Sequence, residues 1–323
     1  MKQSRRRTRF SLLFCCWPAA VTVALLAPMQ SARAQWGFWQ ADSLLAEGRL
    51  APAESAYYAG LRVAPRDPTK RAALGRFLAA RGGVRAGAVL LEEAQFFGGD
   101  SAALARALVP LYLRLRDFRA LYDLKPGVIS SAERRRATWL VNRPSDARLR
   151  DTVVLLSYKP IGDGRGLGTV MLRFGRSEIA AVIDPSVSGI VVPSTLRGDI
   201  RAFGTEGPRT IGIADSLRIG TVTFTNVPAV MGNADETARV GFDVLAPYFP
   251  GFDPAKGMLT LRRVGRRSPP PAGSRVPALF DENGMRLLIG GRWQPSDASM
   301  PAMLLATRRW IWDWKLGDVV LQP

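Results

Sequence analysis

The stretch that decides the reading of this chain is Ala180-Ala181-Val182-Ile183-Asp184-Pro185-Ser186-Val187-Ser188-Gly189-Ile190-Val191-Val192-Pro193. An apolar run carries one carboxylate into a tight turn, and a second apolar run leaves it. β-Branched residues bounded by Pro, Ser and Gly read as two buried strands. The plainer alternative is a strand-ending turn marked by Asp184-Pro185, with no chemistry attached. Upstream, residues 152–157 and 168–174 alternate or run apolar, Gly175-Arg176-Ser177 makes a tight turn, and 178–183 returns as a strand. Downstream, short strands with Gly turns recur at 210–214, 217–219, 222–224, 227–231 and 258–261. Together these predict an all-β domain of barrel-like size.

The quoted turn resembles the active-site turn of retropepsin-like aspartic peptidases, in which apolar residues precede Asp-Thr/Ser-Gly. The hairpin at 168–183 looks like that family's opening hairpin, and residues 204–207 look like the tip of its flap. Val240-Gly241-Phe242-Asp243-Val244-Leu245 is similar to its apolar-Gly-x-Asp-x-Leu segment, and Phe252-Asp253 with Gly257-Met258-Leu259-Thr260-Leu261 to its closing hairpin. The resemblance covers residues 152–263. It implies a catalytic Asp184, an active-site turn of Pro185, Ser186, Ser188 and Gly189, substrate contacts from Gly204, Thr205 and Gly207, and a ψ-loop at Gly241. It also implies a second aspartate from another copy or another lobe, because the chemistry needs two carboxylates about 3 Å apart that share one proton. Neither a cofactor nor a metal is implied. The chain departs from the pattern after Asp184. Pro185 stands where a Thr or Ser hydroxyl would brace two turns, and it removes an amide donor. Ser186 stands where the family has Gly.

The rest of the composition agrees with such chemistry by exclusion. Among 323 residues there is no histidine, and both cysteines, Cys15 and Cys16, lie in the N-terminal apolar stretch. Ser-His-Asp and Cys-His nucleophiles, His or Cys zinc sites and a disulfide framework are therefore excluded once that stretch is removed.

Beyond a Pro-rich segment at 266–275, the tail repeats part of the β-domain. At an offset of 60, Phe252-Asp253 and the segment 257–261 align with Trp312-Asp313 and 317–321, and Leu245 meets Leu305. The tail reads as the closing part of a shortened second lobe. It carries no apolar-apolar-Asp-Thr-Gly turn, and Asp281 and Asp297 lie in polar, turn-like settings.

Residues 36–141 have a helical pattern, rich in Ala and Leu at three- and four-residue steps. A 34-residue period relates Ala41, Gly75 and Val109, then Leu44, Leu78 and Tyr112, with Gly48, Gly82 and Arg116 at the turns between paired helices. This spacing looks like tetratricopeptide repeats, which implies a groove that holds a protein partner.

The N-terminus predicts export. A basic run containing Lys2, Arg5, Arg6, Arg7 and Arg9 precedes an apolar stretch and Ala32-Arg33-Ala34, a small-x-small cleavage pattern. Cleavage after Ala34 takes away six basic residues and no acidic one, lowering the net charge from +18 to +12. A periplasmic or secreted location follows, with membrane attachment only if the signal is retained. Only six of the 45 basic residues are lysine and the arginines are scattered, so no nucleic-acid partner is expected.

The expected organisation is a signal peptide at 1–34, a tetratricopeptide-like helical domain at 35–141 and a linker at 142–151. A retropepsin-like barrel at 152–265, a Pro-rich linker at 266–275 and a Trp-rich β extension at 276–323 follow. Two functions fit. One is an aspartic peptidase acting as a homodimer on polypeptide brought by the helical repeats. The other is a catalytically inactive module of the same fold that binds polypeptide segments.

Overall fold

The computed structural model describes residues 40–148, 153–159, 167–245, 248–263, 271–281, 284–296, 298–313 and 316–323. The expected signal peptide lies outside them.

The chain has N-terminal helices followed by a β-barrel and further strands. The helices are α1 (40–46), α2 (Leu50–Val63), α3 (Pro68–Ala80), α4 (Val84–Phe96), α5 (Ser101–Leu115), α6 (Phe118–Asp123) and α7 (Ser131–Asn142). Their starts are written locally. Asp67 accepts from the Thr69 and Lys70 amides with Pro68 at the first helical position, Asp100 accepts from Ala102 and Ala103, and Ser130 accepts from Glu133. The 34-residue period is visible in the backbone. Gly48, Gly82 and Arg116 all have left-handed φ (76°, 87° and 55°). The amides that follow them, of Arg49, Gly83 and Asp117, donate to Leu44, Leu78 and Tyr112 at 2.8, 2.8 and 2.9 Å. Each closes a helix with the same wrapped-back bond. α3 and α4 cross where Gly75 meets Gly87, and a Cβ on Gly87 would lie 2.6 Å from the Gly75 carbonyl oxygen.

The strands are β1 (Asp146–Arg148), β2 (Val153–Ser157), β3 (Thr169–Phe174), β4 (Ser177–Asp184), β5 (Ile190–Val192), β6 (Ile200–Glu206), β7 (Arg209–Ile219), β8 (Val222–Met231) and β9 (Arg239–Gly241). After a short helix α8 (Phe242–Leu245) come β10 (Tyr248–Asp253), β11 (Met258–Arg263), β12 (Ser274–Asp281), β13 (Gly284–Ile289) and β14 (Arg292–Pro295). Helix α9 (Ser299–Thr307), β15 (Trp310–Asp313) and β16 (Asp318–Leu321) complete the described chain. The first sheet runs β1-β8-β5-β9-β4-β3-β7-β6, and an extra β7–β8 pairing closes six of these strands into a barrel. Leu172, Ile183, Ile190, Phe224 and Val240 fill its interior. β1 falls inside the stretch expected as a linker and pairs with β8 through Ala147 and Phe224.

The second sheet runs β14-β13-β12-β16-β15-β10-β11-β2. At its centre β10 and β15 are antiparallel, with Gly251 opposite Ile311 and Phe252 opposite Trp310. Gly251 and Ile311 are 60 residues apart, so the sequence offset is also a pseudo-twofold relation through this pair. The relation extends outward. Thr260 of β11 pairs with Leu155 of β2, and its counterpart Val320 of β16 pairs with Arg275 of β12. Helix α8 precedes β10 as α9 precedes β15, and Leu245 and Leu305 are both buried. β12 to β16 therefore supply five of the eight strands of this sheet, with Phe252 and Trp310 stacked at 3.9 Å.

The helices are fastened to this β-structure by arginine. Arg136 of α7 is buried and donates to Ala229 O at 3.0 Å, while Glu133 pairs with it at 2.7 Å. Arg81 donates to the carbonyls of Ala278 and Leu316 at 2.8 and 2.9 Å and to Asp318 at 3.0 Å.

Candidate functional site

Asp184 closes β4. β9 runs parallel to β4 on one side and antiparallel to β5 on the other, so Val240 lies between Ile183 and Ile190, all three with no exposed surface. Three apolar side chains at this crossing exclude water and fix both ends of the turn that carries Asp184. Two glycines permit the crossing. Gly189 has φ of 70°, and its carbonyl accepts from the Gly241 amide at 2.7 Å. A Cβ on Gly241 would lie 2.5 Å from Asp243 Oδ1.

Asp243 is the anchor beneath the turn. Its carboxylate accepts from the Gly189 amide at 2.9 Å and from Ser188 Oγ at 2.8 Å. Burial pushes its carboxyl above the usual carboxylate range, opposed by the Gly189 and Ser188 hydrogen bonds and by the Arg116 and Arg114 guanidinium groups. Arg116 also donates to the Asp243 carbonyl at 3.0 Å, which ties the left-handed end of α5 to the floor of the site.

Asp184 itself is mostly covered, with 17% of its side chain exposed. Its Oδ1 accepts from the Ser186 amide at 2.8 Å and from Ser186 Oγ at 2.6 Å. Its Oδ2 faces Arg239 Nη1 at 3.5 Å, and the same guanidinium holds Glu236 at 2.7 Å. β9 delivers this arginine, because Arg239 stands opposite Val182 in the parallel pairing. Among the described residues, the charged group paired with Asp184 is thus a guanidinium.

Pro185 is buried and lines a cavity of about 60 Å³ together with Val187, Phe242, Phe280 and Trp312. The position expected to carry a bracing hydroxyl instead packs toward aromatic residues of the tail. Ser186 is exposed beside the β12–β13 turn, where a Cβ on Gly284 would lie 4.0 Å from Ser186 Cβ.

The residues expected on the flap form the β6–β7 hairpin, with Thr205 opposite Thr210 and Gly207 at its turn with φ of 58°. Gly204 sits at a bulge against α7, and a Cβ there would lie 3.2 Å from Ala132 Cβ. Arg135 of α7 donates to the neighbouring Phe203 carbonyl at 2.7 Å, so the base of the hairpin is held by the helices. Ser188, Gly189 and Gly241 are gathered under Asp184, while the hairpin is gathered onto α7. Sequence reasoning missed Arg239 and the anchoring role of Asp243. The signal for Asp243 was present in the Gly-x-Asp spacing, whereas Arg239 meets Asp184 across 55 residues of chain.

No family model matches the chain, and no curated protein matches it at a significant level. Among solved structures it is similar to a retropepsin-like aspartic protease from Rickettsia conorii, at 16% identity over 37% of this chain and 93% of that one, with a TM-score of 0.27. At that score the likeness carries no argument about fold or function.

Proposed function

We propose that this protein is a retropepsin-like module that binds extended polypeptide and does not hydrolyse it. The observation that carries this reading is the pairing of Asp184 with Arg239. Aspartic peptidase chemistry uses two carboxylates that share a proton, one acting as acid and the other as base on a water. A guanidinium does not give up its proton in a protein and cannot take either role. The Ser186 amide and hydroxyl engage the other oxygen of Asp184.

The tail supports the same reading. β10 pairs with β11 on one side and with β15 of the tail on the other, so it offers no free edge to a second copy. The chain is read as a monomer whose own shortened lobe fills the place of a partner. The fold around the turn is kept by Gly189, Gly241 and Asp243 and does not depend on an acid pair. The tetratricopeptide-like helices bring protein partners to it. Residues 1–34 export the chain, giving a periplasmic or secreted location with no cofactor.

Hydrolysis is the second reading, and one observation favours it: a carboxylate remains at the end of β4 beside Gly241. The two are separated by titrating labelled unfolded peptides into the mature chain and into Asp184→Asn. Saturable binding of similar affinity in both, with peptides recovered intact, supports the binding module. Turnover that vanishes in Asp184→Asn supports hydrolysis, and absence of binding in both proteins defeats the first reading.

A further inference from the structure

Where α7 meets β6, a surface pocket of about 330 Å³ is lined by Arg135, Thr138, Trp139, Asn142, Arg143 and Phe203. Its lining carries no acidic residue. The charges around it are mostly settled: Glu133 is buried with Arg136, Asp215 holds Arg201 at 2.7 Å, and Arg134 donates to the Leu124 carbonyl at 2.7 Å. Among the described residues no carboxylate pairs with Arg135 or Arg143, and both are exposed. The pocket thus collects two guanidinium-bearing side chains, Arg135 and Arg143, beside a space of ligand size.

We propose that this pocket is a docking site for acidic side chains of an extended polypeptide. The proposal rests on the polypeptide-binding reading above and adds to it the chemistry of the partner. Carboxylates match the donor set, because a guanidinium fork takes a carboxylate in two parallel hydrogen bonds. Nucleic acid fits less well. It binds such surfaces by stacking bases on free aromatic faces, and the Trp139 ring already carries the guanidinium groups of Arg143 at 4.0 Å and Arg201 at 4.5 Å. The location also suits a polypeptide. Phe203 and Arg201 belong to the β6–β7 hairpin, so a chain lying along that hairpin passes the pocket.

The test uses the full mature chain and three labelled peptides of equal length, rich in Glu, Gln or Lys, with a single-stranded oligonucleotide as a fourth probe. The Glu-rich peptide should bind about tenfold more tightly than the Gln-rich one at low salt, roughly one charge-assisted contact, and the advantage should shrink as salt rises. Arg143→Glu and Arg135→Gln should each remove that advantage, while Arg176→Glu, on the β3–β4 turn outside the lining, should keep it. Circular dichroism melting shows that each variant is folded. Equal binding of the Glu-rich and Gln-rich peptides, or an advantage that survives Arg143→Glu, overturns the proposal and leaves the polypeptide-binding reading standing. An oligonucleotide that displaces the Glu-rich peptide through Arg143 overturns it in favour of nucleic acid. If no peptide binds at all, both readings fall.

Discussion

Arg239 Nη1 lies 3.5 Å from Asp184 Oδ2, and the two meet because β9 runs parallel to β4 one strand away. The turn that resembles a peptidase site is therefore furnished with opposite charges rather than two acids. This relationship separates the shape of the site from its chemistry, since Gly189, Gly241 and Asp243 maintain the crossing whichever residue faces Asp184.

Restoring the local turn should not restore hydrolysis. A Pro185→Thr, Ser186→Gly, Arg239→Val variant regains the hydroxyl and the small residue and loses the guanidinium, but gains no second carboxylate. Assayed on unfolded protein, it should remain as inactive as the parent. Cleavage by this variant would show that the second acid comes from elsewhere in the chain or from another copy.

Asp243 sets a pH dependence of definite sign. Its carboxyl is raised above the ordinary 3.8, with burial as the largest cause. The folded state therefore binds the proton more tightly than the unfolded state. The stabilisation is complete below about pH 4 and is lost as pH rises through the raised folded value. Asp243→Asn should flatten this part of the stability–pH curve in denaturant melts, because the amide still accepts from Gly189. Asp243→Ala should cost about 1–3 kcal/mol, because it leaves the Gly189 amide buried without an acceptor. A stability curve for Asp243→Asn that parallels the parent would refute the assignment.

Arg136 should hold α7 to the barrel. Arg136→Ala leaves Glu133 buried without its partner and removes the donor to Ala229 O, at a cost of about 3–5 kcal/mol. Hydrogen exchange should speed up in α7 and at the β7–β8 pairing. Replacing Glu133 by Leu together with Arg136→Met should recover much of the loss. Unchanged exchange in Arg136→Ala would mean that apolar contacts alone dock the helix.

The second sheet should depend on the Phe252–Trp310 stack. Trp310 has no exposed surface, and Trp310→Ala should cost about 3–5 kcal/mol. In a monomer whose tail fills the partner's place, size-exclusion chromatography with light scattering should find one chain per particle in the parent. A parent that is already a dimer would contradict that reading of the tail.

Features with a local or periodic cause were legible in the sequence. The 34-residue spacing became three left-handed turns at Gly48, Gly82 and Arg116, since a helix end is written in a few neighbouring residues. The offset of 60 became the Gly251–Ile311 relation, because both hairpins repeat the same apolar pattern. Contacts made across the fold were not legible. Arg239 reads as one of many scattered arginines until β9 pairs with β4. The pairing of β1 with β8 and the seating of Gly204 on α7 depend likewise on how the helices dock. Pro185 looked like a lost hydroxyl, and only the cavity shared with Phe280 and Trp312 shows what the ring packs toward.

The central claim is tested most directly by mass spectrometry of unfolded protein incubated with the purified mature chain between about pH 4 and 7, the range in which a carboxylate pair shares a proton. The account predicts that the substrate is bound and recovered at full length, for the parent and for Asp184→Asn alike. Peptide fragments that accumulate with the parent and are absent with Asp184→Asn would contradict it.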